Sequence, residues 1–220
     1  MCGVANGMIL NKKTKLEGTR RERIIKALEM AGWFVGRQVD ISVVEGYYQS
    51  KNVQLHQKAL EFFREFYGLA ENWYLGKDPN LSMGSHFEFV LIPHRYSRDD
   101  DLDVENWGDW SEYINVKKVA KEKVVLVGDI GYYYPASVWI GESGKIYATH
   151  DYDSEVYIFD SVVDLIEHEL RMNDFDYVTI TAYTTVITSQ SQYEHNGQPR
   201  NGGNLCLENN FKEKPAWRLL

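Results

Sequence analysis

The sequence predicts an α+β protein, because stretches with apolar residues at helical spacing are interleaved with stretches whose apolar residues alternate. Length and composition agree. The 220 residues suit one domain with an extension, or two very small domains, and 44% apolar with 25% charged residues excludes wholesale disorder. A chain this long buries a sizeable core without staples. Its two cysteines, Cys2 and Cys206, stand near opposite ends with no CxxC partner, which fits reduced cytosolic thiols and no zinc ribbon.

Residues 1–18 have no clear period and read as a loose or strand-like arm. Thr19, with Glu22 three residues on, has the pattern of a capping box. Ile24, Leu28 and Ala31 then share a helical face, and Gly32 ends the helix. An extended exit, Trp33 to Arg37, leads to Val39, Ile41 and Val43, whose alternation predicts a short strand. A second helix is expected over about Asn52–Tyr67, with Leu55, Ala59, Phe62, Phe63 and Phe66 as its apolar stripe and Gly68 as its stop. Phe87, Phe89 and Leu91 alternate along a strand that Pro93 ends. Lys123–Gly128 reads as a buried strand, and Ser137–Ile140 with Lys145–Thr149 as a hairpin around Glu142-Ser143-Gly144. Val156–Phe159 is a further strand. Asp160 or Ser161 caps a helix containing Val162, Val163, Leu165, Ile166 and Leu170. Val178 and Ile180 open a strand with one polar face, and beyond Gln190 the chain reads as a polar, loop-rich tail that folding does not require. Trp33, Phe62, Phe66 and Trp139 are expected in the core.

Charge excludes one broad class and points to another. A formal net charge of −8 argues against a generic nucleic-acid binder, which needs Lys and Arg to displace counterions from phosphates. The acids are concentrated: Arg98–Glu112 holds seven against one arginine, with Trp107 and Trp110 among them. Residues 1–40 carry a basic excess. The longest window without Asp, Glu, Lys or Arg, Tyr177–Tyr193, is rich in Thr, Ser and Gln, so no membrane span is expected. The first residues do not read as a signal peptide, and a cytoplasmic location is expected.

Catalytic and metal motifs fail one by one. Asp99, Asp101 and Asp103 open like an EF-hand loop, but Val104 replaces the turn glycine and no closing Glu follows. His150-Asp151-Tyr152-Asp153 lacks a second histidine at ligand spacing, and His168 has no HExxH partner. Gly144-Lys145 lacks the first glycine of a P-loop. The opening Met-Cys-Gly-Val resembles class-II glutamine amidotransferases, whose N-terminal cysteine is the nucleophile, but their glutamine-binding segments are missing. Neither a cofactor nor a metal is expected.

Ala31-Gly32-Trp33-Phe34-Val35-Gly36-Arg37, a second helix ending Phe66-Tyr67-Gly68-Leu69, Val127-Gly128-Asp129, and Trp139-Ile140-Gly141-Glu142-Ser143-Gly144-Lys145 occur in an order that resembles the third subfamily of the SUKH immunity-protein superfamily. That superfamily also takes in the fungal cell-wall-assembly regulator and the Syd protein. Tyr67 stands where the family usually has Gly, and Asp129 where Glu is common. The resemblance implies a single α+β domain with helices packed around a mixed central sheet, spanning 19–172, between an arm at 1–18 and an extension at 173–220. It gives Gly32, Trp33, Gly36, Arg37, Gly68, Gly128, Gly141 and Gly144 structural parts, with Arg37 expected to pair with a carboxylate. It also implies a cytoplasmic immunity protein that blocks a cognate toxin, often a nuclease, by direct association and without catalysis. An adaptor that regulates another protein is the alternative, and the Cys2 amidotransferase a third reading.

A basic toxin calls for an acidic, aromatic surface. The expected partner residues are Asp99, Asp100, Asp101, Asp103, Glu105, Trp107, Asp109 and Trp110, helped by Tyr132, Tyr133, Tyr134, Asp151 and Asp153.

Overall fold

The computed structural model describes residues 13–78, 84–93 and 111–181. The chain divides into two units, 1–184 and 185–220, and every described residue belongs to the first. The described strands are β1 (Thr14–Lys15), β2 (Asn72–Gly76), β3 (Ser85–Leu91), β4 (Val124–Tyr132), β5 (Ala136–Gly141), β6 (Ile146–His150), β7 (Asp153–Phe159) and β8 (Tyr177–Thr181). The helices are α1 (Arg20–Met30), α2 (Ser42–Ser50), α3 (Gln57–Phe66), α4 (Ser111–Ala120) and α5 (Val162–Glu169).

The strands form one sheet in the order β1-β8-β2-β3-β4-β5-β6-β7. The class is α+β, as expected. The pairing differs, because every pair is antiparallel where a mixed sheet was expected. Short hairpin turns join β4 to β5, β5 to β6 and β6 to β7, and a short turn can only reverse the chain. The described parts of the arm and the extension are sheet members: β1 pairs with β8, and β8 pairs with β2.

Local chemistry sets the helix ends. Thr19 and Glu22 form the capping box, the Thr19 N–H donating to Glu22 Oε2 at 2.6 Å and the Glu22 N–H to Thr19 Oγ1 at 3.3 Å. Ser161 caps α5 by accepting the Asp164 N–H at 3.2 Å. The helix expected from Asn52 starts later. His56 is its cap, Nδ1 accepting the Ala59 N–H at 3.2 Å, while Asn52 takes a left-handed φ of 56° in the turn before it.

Val39, Ile41 and Val43 do not form the expected strand. Asp40 accepts hydrogen bonds from the Ser42 N–H and hydroxyl at 2.9 and 3.1 Å, and the chain turns into α2. The buried set is Ile41, Val44 and Tyr48, which has helical spacing, and Val43 is exposed. The Tyr48 hydroxyl donates to the Leu126 carbonyl of β4, tying α2 to the sheet.

The core joins helix and sheet through rings. Phe66 of α3 packs on Phe89 of β3 with ring centres 6.2 Å apart, and Trp73 of β2 stacks on Phe87 and Phe89 at 5.1 and 5.8 Å. Phe62, Phe66 and Trp139 are buried as expected, whereas Trp33 is only half-buried and donates its indole N–H to Glu65 Oε1 at 3.0 Å. Gly128 sits where the β4–β5 register shifts, with φ at 148°. A Cβ there would overlap the Val90 carbonyl and Leu91 backbone of β3, so only glycine lets the two strands approach.

Candidate partner-binding site

The Ala31–Arg37 motif is built as a rigid corner. After α1 the Gly32 N–H donates to the Glu29 carbonyl at 3.0 Å and the Trp33 N–H to the Leu28 carbonyl at 2.9 Å, with Gly32 at φ 105°. These are the paired bonds of a Schellman ending, and the left-handed residue is glycine because it carries no Cβ. Arg37 is buried, and burial lowers its pKa. It does not pair with a carboxylate through a hydrogen bond. Its guanidinium donates to the carbonyls of Glu65 and Tyr67, both at 2.8 Å, and so closes the C-terminal end of α3. The corner between Gly32 and Gly36 leaves Phe34 and Val35 exposed. Gly68 and Gly144 also take positive φ, and Gly141 lies against the Glu122 carboxylate.

The expected partner residues divide. Asp99, Asp100, Asp101, Asp103, Glu105, Trp107, Asp109 and Trp110 lie outside the described residues. The rest converge on one end of the sheet. Tyr132 is the last residue of β4 rather than part of a loop, so only Tyr133 and Tyr134 occupy the turn to β5. Tyr133 holds φ at 63°, a costly conformation for a residue with a Cβ, and the residue is 71% exposed. Asp151 and Tyr152 form the β6–β7 turn, and Asp153 begins β7.

Ring contacts join the two turns. Tyr133 meets Tyr134 at 4.9 Å, Tyr134 meets Tyr152 at 6.2 Å, and Tyr152 leans on His150 at 4.9 Å. Tyr134 and Tyr152 are mostly exposed. Acids flank the rings. Asp153 accepts the Glu155 N–H at 2.9 Å and the Tyr157 hydroxyl at 3.0 Å, which hold its carboxyl below the ordinary range. Tyr157 donates also to Glu155, at 3.2 Å; the Asp153 bond, burial and Glu155 push its hydroxyl up to about 12. Across from the turn, Glu112 and Asn115 of α4 join Thr149, His150, Asp151 and Tyr152 around a cleft of about 430 Å³.

Beneath the cleft lies a buried pair. His150 Nε2 is 3.2 and 3.3 Å from the two Glu169 oxygens, with the side chains 2% and 5% exposed. His150 Nδ1 has no hydrogen-bond partner. His168 packs edge-on against Tyr157 and Phe159, and burial lowers its pKa. Among the described residues no group of His, Cys, Asp and Glu is arranged to hold a metal ion. No described helix is long and apolar enough to cross a membrane.

Sequence reasoning found Asp151 and Asp153 but missed Glu155, His150 and Glu169 as parts of this face. Nothing in a linear reading joins His150 to Glu169 at nineteen positions' distance, because the packing of α5 on the sheet makes the pair.

No curated protein and no solved structure matches the chain. The SUKH-3 immunity protein family matches it over residues 20–168, a span from the start of α1 into α5 that includes the Arg37 corner, Gly128 and the His150–Asp153 turn. The chain belongs to the SUKH-3 immunity protein family.

Proposed function

We propose that this protein neutralises a cognate toxin by binding it directly with the acidic and aromatic face at the β4–β5 and β6–β7 turns. The observation that carries the reading is the convergence of Glu112, Asp151, Asp153 and Glu155 with the exposed rings of Tyr133, Tyr134 and Tyr152, in a chain of an immunity-protein family. Exposed aromatics supply contact area at low entropic cost, and a negative field steers a positive partner. The toxin is basic on this reading, and a nuclease fits best, since such an enzyme carries a positive surface where it grips phosphate. The protein acts by occupying that surface and not by catalysis, and it needs no cofactor. Asp99–Trp110 runs in sequence directly into α4, and on this reading its acids and tryptophans also contact the toxin.

The test is co-purification with the product of the neighbouring toxin gene, followed by binding measurements across a salt series. Association should slow as salt rises, since exposed charges are screened over about 8–10 Å at physiological ionic strength. Replacing Asp99, Asp100, Asp101 and Asp103 with Asn in one variant, and Asp151 and Glu155 with Asn and Gln in another, should each weaken protection while leaving melting unchanged. Unchanged affinity and salt dependence in both variants would move the interface elsewhere. Co-purification with an unrelated cellular protein instead would favour the adaptor reading.

A further inference from the structure

The proposed face contains one feature that broad charge steering does not need: a cleft of about 430 Å³ with aromatic, acidic and buried polar walls. Glu112 of α4 stands on one side, and Asp151 and Asp153 stand on the other. Tyr152 lines it as well, 65% exposed, with its ring packed against His150.

His150 is the unusual wall. It is almost fully buried, yet one of its two ring nitrogens, Nδ1, has no hydrogen-bond partner. The other, Nε2, lies 3.2 and 3.3 Å from the Glu169 oxygens. A carboxylate only accepts, so Nε2 donates to Glu169. A buried polar atom without a partner is costly, and a change in the cleft that supplies one removes that cost.

We infer that the cleft formed by Glu112, His150, Asp151, Tyr152 and Asp153 is a receptor for a single arginine side chain of the partner. This rests on the toxin-binding reading and names the chemistry of its anchor. A guanidinium matches the exposed walls: it is flat and stacks on a tyrosine face, and its forked donors suit a carboxylate. Lysine offers a point charge that fits the acids but neither stacks flat nor presents a fork. The wall residues come from α4 and from the β6–β7 hairpin, so only the folded domain assembles them.

The experiment uses the full chain and three short peptides, Gly-Arg-Gly, Gly-Lys-Gly and Gly-citrulline-Gly, followed by NMR titration. The arginine peptide should give saturable shifts centred on Tyr152 and Asp151. The lysine peptide should bind several-fold more weakly, and the uncharged citrulline peptide should give no saturation. Asp151→Asn and Tyr152→Leu, both at exposed positions, should each weaken the arginine peptide about tenfold, the size of one lost charge-assisted contact. Equal binding of the citrulline peptide, shifts centred on another surface, or no saturation with arginine would overturn the assignment. A chain that binds the toxin but not the arginine peptide loses this cleft and keeps the toxin reading. A chain that takes the arginine peptide but no toxin keeps the cleft and loses the toxin reading.

Discussion

Arg37 donates a hydrogen bond to the carbonyl of Tyr67 at 2.8 Å, thirty residues along the chain, and a second to the carbonyl of Glu65. A motif arginine is thereby the cap of a helix it does not belong to. Its guanidinium is buried, and burial lowers its pKa, so these carbonyls, with the charge of Glu65 nearby, compensate it. Arg37→Ala should lose about 1.5–3 kcal/mol, the range for hydrogen bonds to charged groups. Arg37→Lys should recover only part, because one ammonium does not reproduce two forked donors. Urea denaturation of the three proteins checks both.

Gly128→Ala should destabilise by more than the ~1–3 kcal/mol of backbone strain alone, because the new methyl also overlaps the Val90 carbonyl. Wild-type melting in that variant would mean that β3 and β4 are not held this close.

Truncating Phe66 or Trp139 to Ala should cost about 3–5 kcal/mol, since both side chains are buried. Trp33→Ala should cost clearly less, because its ring is half-buried and its indole N–H serves Glu65 at the surface end of the corner. Equal losses for Trp33 and Trp139 would contradict that ordering.

Alkaline stability follows from two tyrosines. Tyr147 is pushed from 10.0 to about 12 by burial and by its hydrogen bond to Glu122, and Tyr157 to about 12 by Asp153 first. Raised values in the folded state mean that their stabilising contribution is intact below pH 10 and is lost as the pH rises toward 12. Unfolding free energy should therefore fall over that window, and Tyr147→Phe should flatten the fall. A variant with the wild-type slope would place the loss at other groups.

Tyr133 sits at φ 63° with its ring in solvent. Tyr133→Gly should raise stability by about 1 kcal/mol, since the left-handed conformation costs a residue with a Cβ roughly that much. The same change should weaken toxin binding. A rise in stability with unchanged protection would remove Tyr133 from the interface.

Wherever a short-range rule suffices, the elements were legible. The capping box at Thr19, the Phe stripe of α3, the β5–β6 hairpin and the Ser161 cap follow from residues within a turn of one another. The errors fall where two local readings compete. Val39, Ile41 and Val43 alternate, yet Ile41, Val44 and Tyr48 also have helical spacing, and the buried contact of Tyr48 with Leu126 selects the helix. β2 went unread because Asn72 to Gly76 is short and carries only Trp73 and Leu75 inward, and α4 because Val116 is its single buried residue.

By itself the sequence determined the α+β class, the acidic balance and the family motif, since composition and local spacing carry that information without any knowledge of distant contacts. The tertiary structure decided that the sheet is antiparallel, that β8 lies between β1 and β2, and that Arg37 serves carbonyls. It also decided which residues make up the proposed site. Glu112, His150 and Tyr134 meet near one cleft, with Glu169 beneath, because α4, α5 and two hairpin turns pack at the same end of the sheet. Such meetings depend on long-range packing, which no window of neighbouring residues encodes.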